Sequence, residues 1–123
     1  MVESLIPQLD STEAREAVAQ AVIALFARWQ LHEVNQAQLL GLSSGFNLKS
    51  KITEGDTNTM ERVGCLLAID RALKKHFPSQ PATRDRWIFT GNSQLNGVTP
   101  LSVMLDKGLP GIVLVKELAQ LGE

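Results

Sequence analysis

From Ser11 to Trp29 the apolar positions Ala14, Val18, Ala21, Val22, Leu25 and Trp29 fall on one stripe of a helix, with Glu16, Gln20 and Arg28 off it. Asp10 and Glu13 have the spacing of an N-cap and its capping-box partner, so the pattern predicts a helix opening there. Ile23 breaks the division. On the polar face it reads either as an ordinary exposed apolar residue or, with Phe26 flanking the stripe, as part of a second buried contact such as a dimer surface. Val34 to Ser43 then predicts a short helix stopped at Gly41 and restarted at Ser43 or Ser44, the spacing of a helix-turn-helix. Ala37 is small where two helices approach, Gly41 permits a positive φ, and Leu40 and Leu42 fill the gap between them. Phe46, Leu48 and Ile52 are the anchors available to the second helix.

Glu54-Gly55-Asp56-Thr57-Asn58 is turn-rich and marks a boundary between residues 1–57 and 58–123. Asn58 and Glu61 repeat the capping-box spacing and open a long helix to about Phe77, with Met60, Val63, Leu66, Leu67, Leu73 and Phe77 on its apolar arc. Asp70 and Lys74 fall inside that arc. A carboxylate there requires a cation, either Lys74 or a nearby arginine. Pro78 and Pro81 end the helix, and a further one around Thr83–Phe89 carries Trp87. The turn dipeptides Gly91-Asn92 and Asn96-Gly97 flank Leu95. Thr99 and Pro100 read as N-cap and first residue of a short helix with Leu101, Met104 and Leu105 inside and Gly108 as its stop. Pro110 begins the last helix, to about Leu121. Its Ile112–Val115 run is also strand-like, but Lys116-Glu117 and the Leu114/Leu118/Leu121 spacing favour helix. The expectation is an all-α, compact helical bundle of about six or seven helices, helix-turn-helix-like in its N-terminal half.

Composition narrows the function classes. The chain is 44% hydrophobic without any run of eighteen apolar residues, so no membrane span is expected. The Met1–Ser4 start has no basic stretch leading into an apolar one, so no secretory signal is expected. Cys65 has no cysteine companion, which excludes an internal disulfide and fits a reducing cytoplasm. A net charge of −1 predicts no strong attraction to nucleic acid. The charge is nonetheless uneven, −3 over residues 1–33 and +4 over residues 62–86, which serves either protomer pairing or the steering of a negative ligand, or is simply two solvated faces. His32 and His76 are far apart and form no zinc signature with Cys65. With no Gly-rich phosphate loop and no nucleophile elbow, the expectation is a binding protein rather than an enzyme, without metal or cofactor.

The stretch Trp87-Ile88-Phe89-Thr90-Gly91-Asn92-Ser93-Gln94-Leu95-Asn96-Gly97-Val98-Thr99-Pro100-Leu101 resembles the core of the Xre/MbcA/ParS toxin-binding domain, whose members show a tryptophan, an asparagine, a leucine and a glycine before proline-leucine opens a helix. Phe77-Pro78 and the run Met104–Ile112 with Val115 and Leu118 are similar to the same family, as is Glu61–Ile69 to its first toxin-binding helix. Ala27-Arg28-Trp29 and Gln36–Ser43 look like its helix-turn-helix half. The resemblance implies an antitoxin that associates as a homodimer or larger assembly and obstructs the active-site entrance of a RES-domain toxin consuming NAD or transferring its ADP-ribose. It also implies binding of operator DNA and repression of its own operon. A DNA-binding regulator without a cognate toxin is the alternative.

The toxin-facing set read in this way is Trp87, Asn92, Gly97, Pro100, Lys107, Lys116 and Leu121. The first four are weighted toward scaffold, since an indole locks helices together and Asn92, Gly97 and Pro100 shape a loop. Lys107, Lys116 and Leu121 belong to the face free to meet a partner. The DNA-facing set is Ser43, Ser44, Asn47, Lys49 and Lys51. Here the sequence departs from the family, whose DNA-binding members carry arginine and tryptophan in the segment corresponding to 44–51. Gly45 weakens a recognition helix, and with two lysines only a dimer reading two half-sites would bind DNA well.

Overall fold

Residues 12–42 and 47–122 are described by the computed structural model. Over them the chain forms α1 (Thr12–Arg28), α2 (Glu33–Leu39), α3 (Leu48–Thr53), α4 (Thr57–His76), α5 (Pro81–Arg86), α6 (Pro100–Lys107) and α7 (Leu109–Gln120). Two 3₁₀ turns, Trp87–Phe89 and Ser93–Leu95, connect α5 to α6. No strand occurs among the described residues, and Ile112–Val115 is helical.

α1 turns Ala19, Val22, Leu25 and Phe26 inward, with Trp29 following just beyond its end. The stripe expected from the sequence is therefore rotated: Ala21 is exposed and Phe26 is almost wholly buried. Burial scales with apolar area, so the two large aromatics decide which side faces the core. Ile23 is half-buried and packs against that core. Asp10 lies outside the described residues.

The ends of α1 and α2 share one geometry. Leu31 N–H donates to the Phe26 carbonyl at 3.1 Å and Gln30 N–H to Ala27 at 3.0 Å, with Gln30 left-handed at φ 55°. Leu42 N–H donates to Ala37 at 2.8 Å and Gly41 N–H to Gln38 at 3.1 Å, with Gly41 at φ 70°. Both are Schellman closures, in which the residue after the helix must be left-handed. Glycine meets that demand at position 41, as the sequence predicts; at position 30 a glutamine bears it.

After α2 the next described helix is α3. Asn47 is extended and its side chain accepts from Ser50 N–H at 2.9 Å, so α3 begins at Leu48. The restart expected at Ser43 or Ser44 falls outside the described residues. α3 lies along α1, fastened by Arg15 Nε donating to the Thr53 carbonyl at 2.8 Å. α2 instead turns toward α6, where Gln38 Nε2 donates to the Leu105 carbonyl at 3.0 Å. The two short helices thus have different main packing partners.

α4 is capped by Asp56, which accepts from Thr59 N–H at 3.1 Å and Thr59 Oγ1 at 3.2 Å, and not by Asn58. The Asn58 side chain accepts from Arg62 Nε at 3.1 Å instead. Arg62 also donates to the Leu39 carbonyl at 3.3 Å and covers Gly41, tying the end of α2 to α4. Val63, Leu66, Ile69 and Leu73 carry the inner face of α4, which packs on α7 and α1. Asp70 lies on that face, and the cations are the ones the sequence asks for. Arg28 binds it through Nη2 at 2.9 Å and Nη1 at 3.3 Å, and Lys74 Nζ lies 3.2 Å away. The hydrogen bond to Asp70 holds the Arg28 guanidinium above its usual pKa, partial burial opposing.

A single apolar cluster runs from Ala19 through Leu39, Ile52, Leu66 and Ile88 to Ala119. The helices on both sides of the Glu54–Asn58 turn therefore share one core. No helix among the described residues is long and apolar enough to cross a membrane.

Candidate functional site

The segment between α5 and α6 has a fixed shape for local reasons. Asn92 N–H donates to the Val98 carbonyl at 3.1 Å, and Gly97 N–H to the Asn92 carbonyl at 2.8 Å, closing the loop on itself. The Asn92 side chain accepts from Gln94 N–H at 2.8 Å and starts the Ser93–Leu95 turn. Asn96 and Gly97 are both left-handed, at φ 58° and 84°. At position 91 a Cβ would lie 2.6 Å from the Gly97 carbonyl oxygen, so only glycine allows the loop ends to touch.

This loop delivers Leu95 and Val98 to the side of α6. Thr99 caps α6, its Oγ1 accepting from Ser102 N–H at 3.2 Å, and Pro100 occupies the first turn. α7 follows α6 after Gly108 alone (φ 67°, ψ −143°). Gly111 then meets α6 backbone to backbone, since a Cβ there would lie 2.5 Å from the Val103 carbonyl oxygen. That contact sets the rotation of α7. Gly111, Ile112, Val115, Leu118 and Ala119 face inward, and Leu114 and Leu121 face out. The Leu114/Leu118/Leu121 spacing that favoured a helix is met by a helix; of the three only Leu118 is buried, Leu114 and Leu121 lying at the edge of an inward arc of Ile112, Val115, Leu118 and Ala119.

The result is a groove of about 550 Å³ between the loop, α6 and α7. Leu95, Val98, Val103 and Leu114 supply its apolar lining, and Gln94, Asn96, Ser102, Asp106 and Lys107 its polar edges. Val98 and Leu114 are 44% and 43% exposed. Covering either by a partner would contribute roughly 1 kcal/mol from apolar area. The groove offers apolar contact with one cation and one carboxylate at its edge, which is the chemistry of docking. Among the described residues no group of three His, Cys, Asp or Glu is placed to hold a metal ion.

The residues expected to face a toxin separate into three places. Lys107 is exposed and lines the groove, with Gly97 between two groove residues. Trp87, only 8% exposed, and the half-buried Asn92 line an adjoining recess of about 240 Å³ together with Thr90, Gly91 and Ser93. Pro100 is buried at the start of α6. Lys116, half-buried on α7, and Leu121, 74% exposed beyond its end, line neither concavity. Leu95, Val98, Val103 and Asp106 were not among the expected contacts. Leu95 and Val98 gave as their only sequence signal apolar residues at turn positions, which periodicity does not weigh, and Val103 and Asp106 lie on α6.

Of the residues expected to face DNA, Asn47, Lys49 and Lys51 sit on or beside α3. Asn47 is spent as its cap, while Lys49 and Lys51 are exposed. Lys51 Nζ lies 3.9 Å from Glu54, and Lys49 shares a shallow depression with Glu16 and Glu54. Carboxylates beside both lysines weaken any attraction to phosphate. Ser43 and Ser44 lie outside the described residues.

No protein-family model, curated protein or solved structure matches the chain.

Proposed function

We propose that this protein is an antitoxin of the Xre/MbcA/ParS kind, which binds a RES-domain toxin and obstructs the entrance to its NAD-handling active site. One observation carries the reading: apart from Ser102, Val103 and Leu114, the groove is lined by residues of the Trp87–Leu101 and Met104–Ile112 stretches that bear the family resemblance, and it leaves Val98 and Leu114 outward. The apolar lining supplies contact area, and Lys107 stands at the rim where a partner's negative charge would meet it. The turn residues that carry the resemblance act as scaffold here, with Asn92, Gly97 and Pro100 fixing the loop that presents Leu95 and Val98. Toxin blocking is favoured over operator binding because Glu16 and Glu54 accompany the lysines of α3.

Co-expression with the product of the neighbouring gene tests this. The expected result is a co-purifying complex with a RES-domain protein and rescue of growth, both reduced by Leu114→Glu and Val98→Glu while the helical circular dichroism is unchanged. Failure of the wild-type chain to rescue and to co-purify would overturn the reading.

A further inference from the structure

α4 and α7 run side by side and end together, and between their C-terminal turns lies a second recess, of about 200 Å³, lined by Ala68, Arg71, Ala72, Lys75, His76 and Gln120. The two alanines leave room where longer side chains would fill it. Arg71 and Lys75 stand one helical turn apart on the same side of α4, both exposed and neither in an ion pair among the described residues. His76 Nε2 lies 3.2 Å from the Gln120 carbonyl oxygen, and Gly122 packs against the ring, a Cβ there falling 3.1 Å from Cε1. The imidazole is thereby held at the rim.

No described carboxylate lines this recess. Asp70, the acid nearest along α4, is already engaged by Arg28 and Lys74. Like charges one turn apart repel, and an anion between Arg71 and Lys75 would relieve that repulsion. The helix C-terminus accommodates cations but does not require a concavity. We propose that this recess binds a phosphate-type oxyanion, a free diphosphate or the phosphate of a nucleotide ester. The Arg71 guanidinium and Lys75 ammonium hold the oxygens, and His76 closes one side. The site is separate from the groove of α6 and α7 and does not depend on the antitoxin reading.

Titration of the ¹⁵N-labelled full chain with pyrophosphate, against sodium chloride of equal ionic strength, tests the proposal. A short DNA duplex forms a second arm. Saturable shifts at Arg71, Lys75, His76 and Gln120 are expected, weakened about tenfold in Arg71→Gln and in Lys75→Gln. Both positions are exposed, and a superimposable amide spectrum elsewhere confirms that each variant is folded. Shifts no larger than those in sodium chloride would overturn the site, as would saturable shifts that persist in both variants. Binding of the duplex alone, with pyrophosphate silent, would also overturn it and make the face a tracking surface for polyanions.

Discussion

Replacing Gly111 and Gly64 by alanine should move stability in opposite directions, because the same added methyl meets opposite surroundings. At Gly64, mid-way along α4, no atom outside the backbone of its own helical turn and its chain neighbours lies within 4 Å of the new Cβ. Alanine there gains only helix propensity, about 0.5–1 kcal/mol. At Gly111 the Cβ would fall 2.5 Å from the Val103 carbonyl oxygen and 2.9 Å from Lys107 Cβ. Carbon contacts are comfortable near ~3.5–4 Å, and the obstacle is backbone, so α7 has to back away from α6 by about 1 Å. Such overpacking costs about 1–3 kcal/mol, and at most ~1 kcal/mol of propensity offsets it. The net is a loss of up to about 2 kcal/mol, which separates the two variants by up to about 3 kcal/mol. At this chain length that corresponds to roughly 10 °C in Tm. Urea denaturation followed by helical circular dichroism measures it, provided the slope is common to all three proteins. A Gly111→Ala protein more stable than wild type, as Gly64→Ala should be, would refute the close approach of α6 and α7.

Asp70→Asn removes the carboxylate that gathers Arg28 and Lys74 and should cost about 2 kcal/mol, below the range for fully buried pairs because both cations are partly exposed. Arg28 has a raised pKa when folded, so its contribution is complete below the ordinary arginine value and is lost only as pH rises through the folded value. The difference in urea midpoint between wild type and Arg28→Gln should therefore stay constant from neutral pH to about pH 10; a fall within that window would contradict the assigned pairing. Thr99→Ala deletes the cap of α6 and should lower stability by about 1 kcal/mol, read from the thermal midpoint. Gln30→Gly relieves a left-handed glutamine and should raise that midpoint, by about 1 kcal/mol of stability; a lower midpoint would mean the closure of α1 is not as described.

Local chemistry was legible wherever one residue suffices to set a conformation. Gly41, Thr99-Pro100 and Gly108 end or start helices at the places their backbone freedom and hydrogen-bonding groups dictate. Asp70 announced a cation partner because a carboxylate on an apolar arc is untenable alone, yet two candidates remained. Only packing brought Arg28, forty-two residues away, alongside Lys74. Helix rotation was the information missing from the pattern. α1 turned on the size of Phe26 and Trp29, and α7 on the absence of a side chain at Gly111, both of which depend on the neighbouring helix. The groove follows from that second rotation. The sequence determined an all-helical chain and where its helices stop, since propensity, capping and positive φ act within a few residues. Which apolar residues remain outside, and hence where a partner can sit, was decided by contacts between elements far apart in the chain.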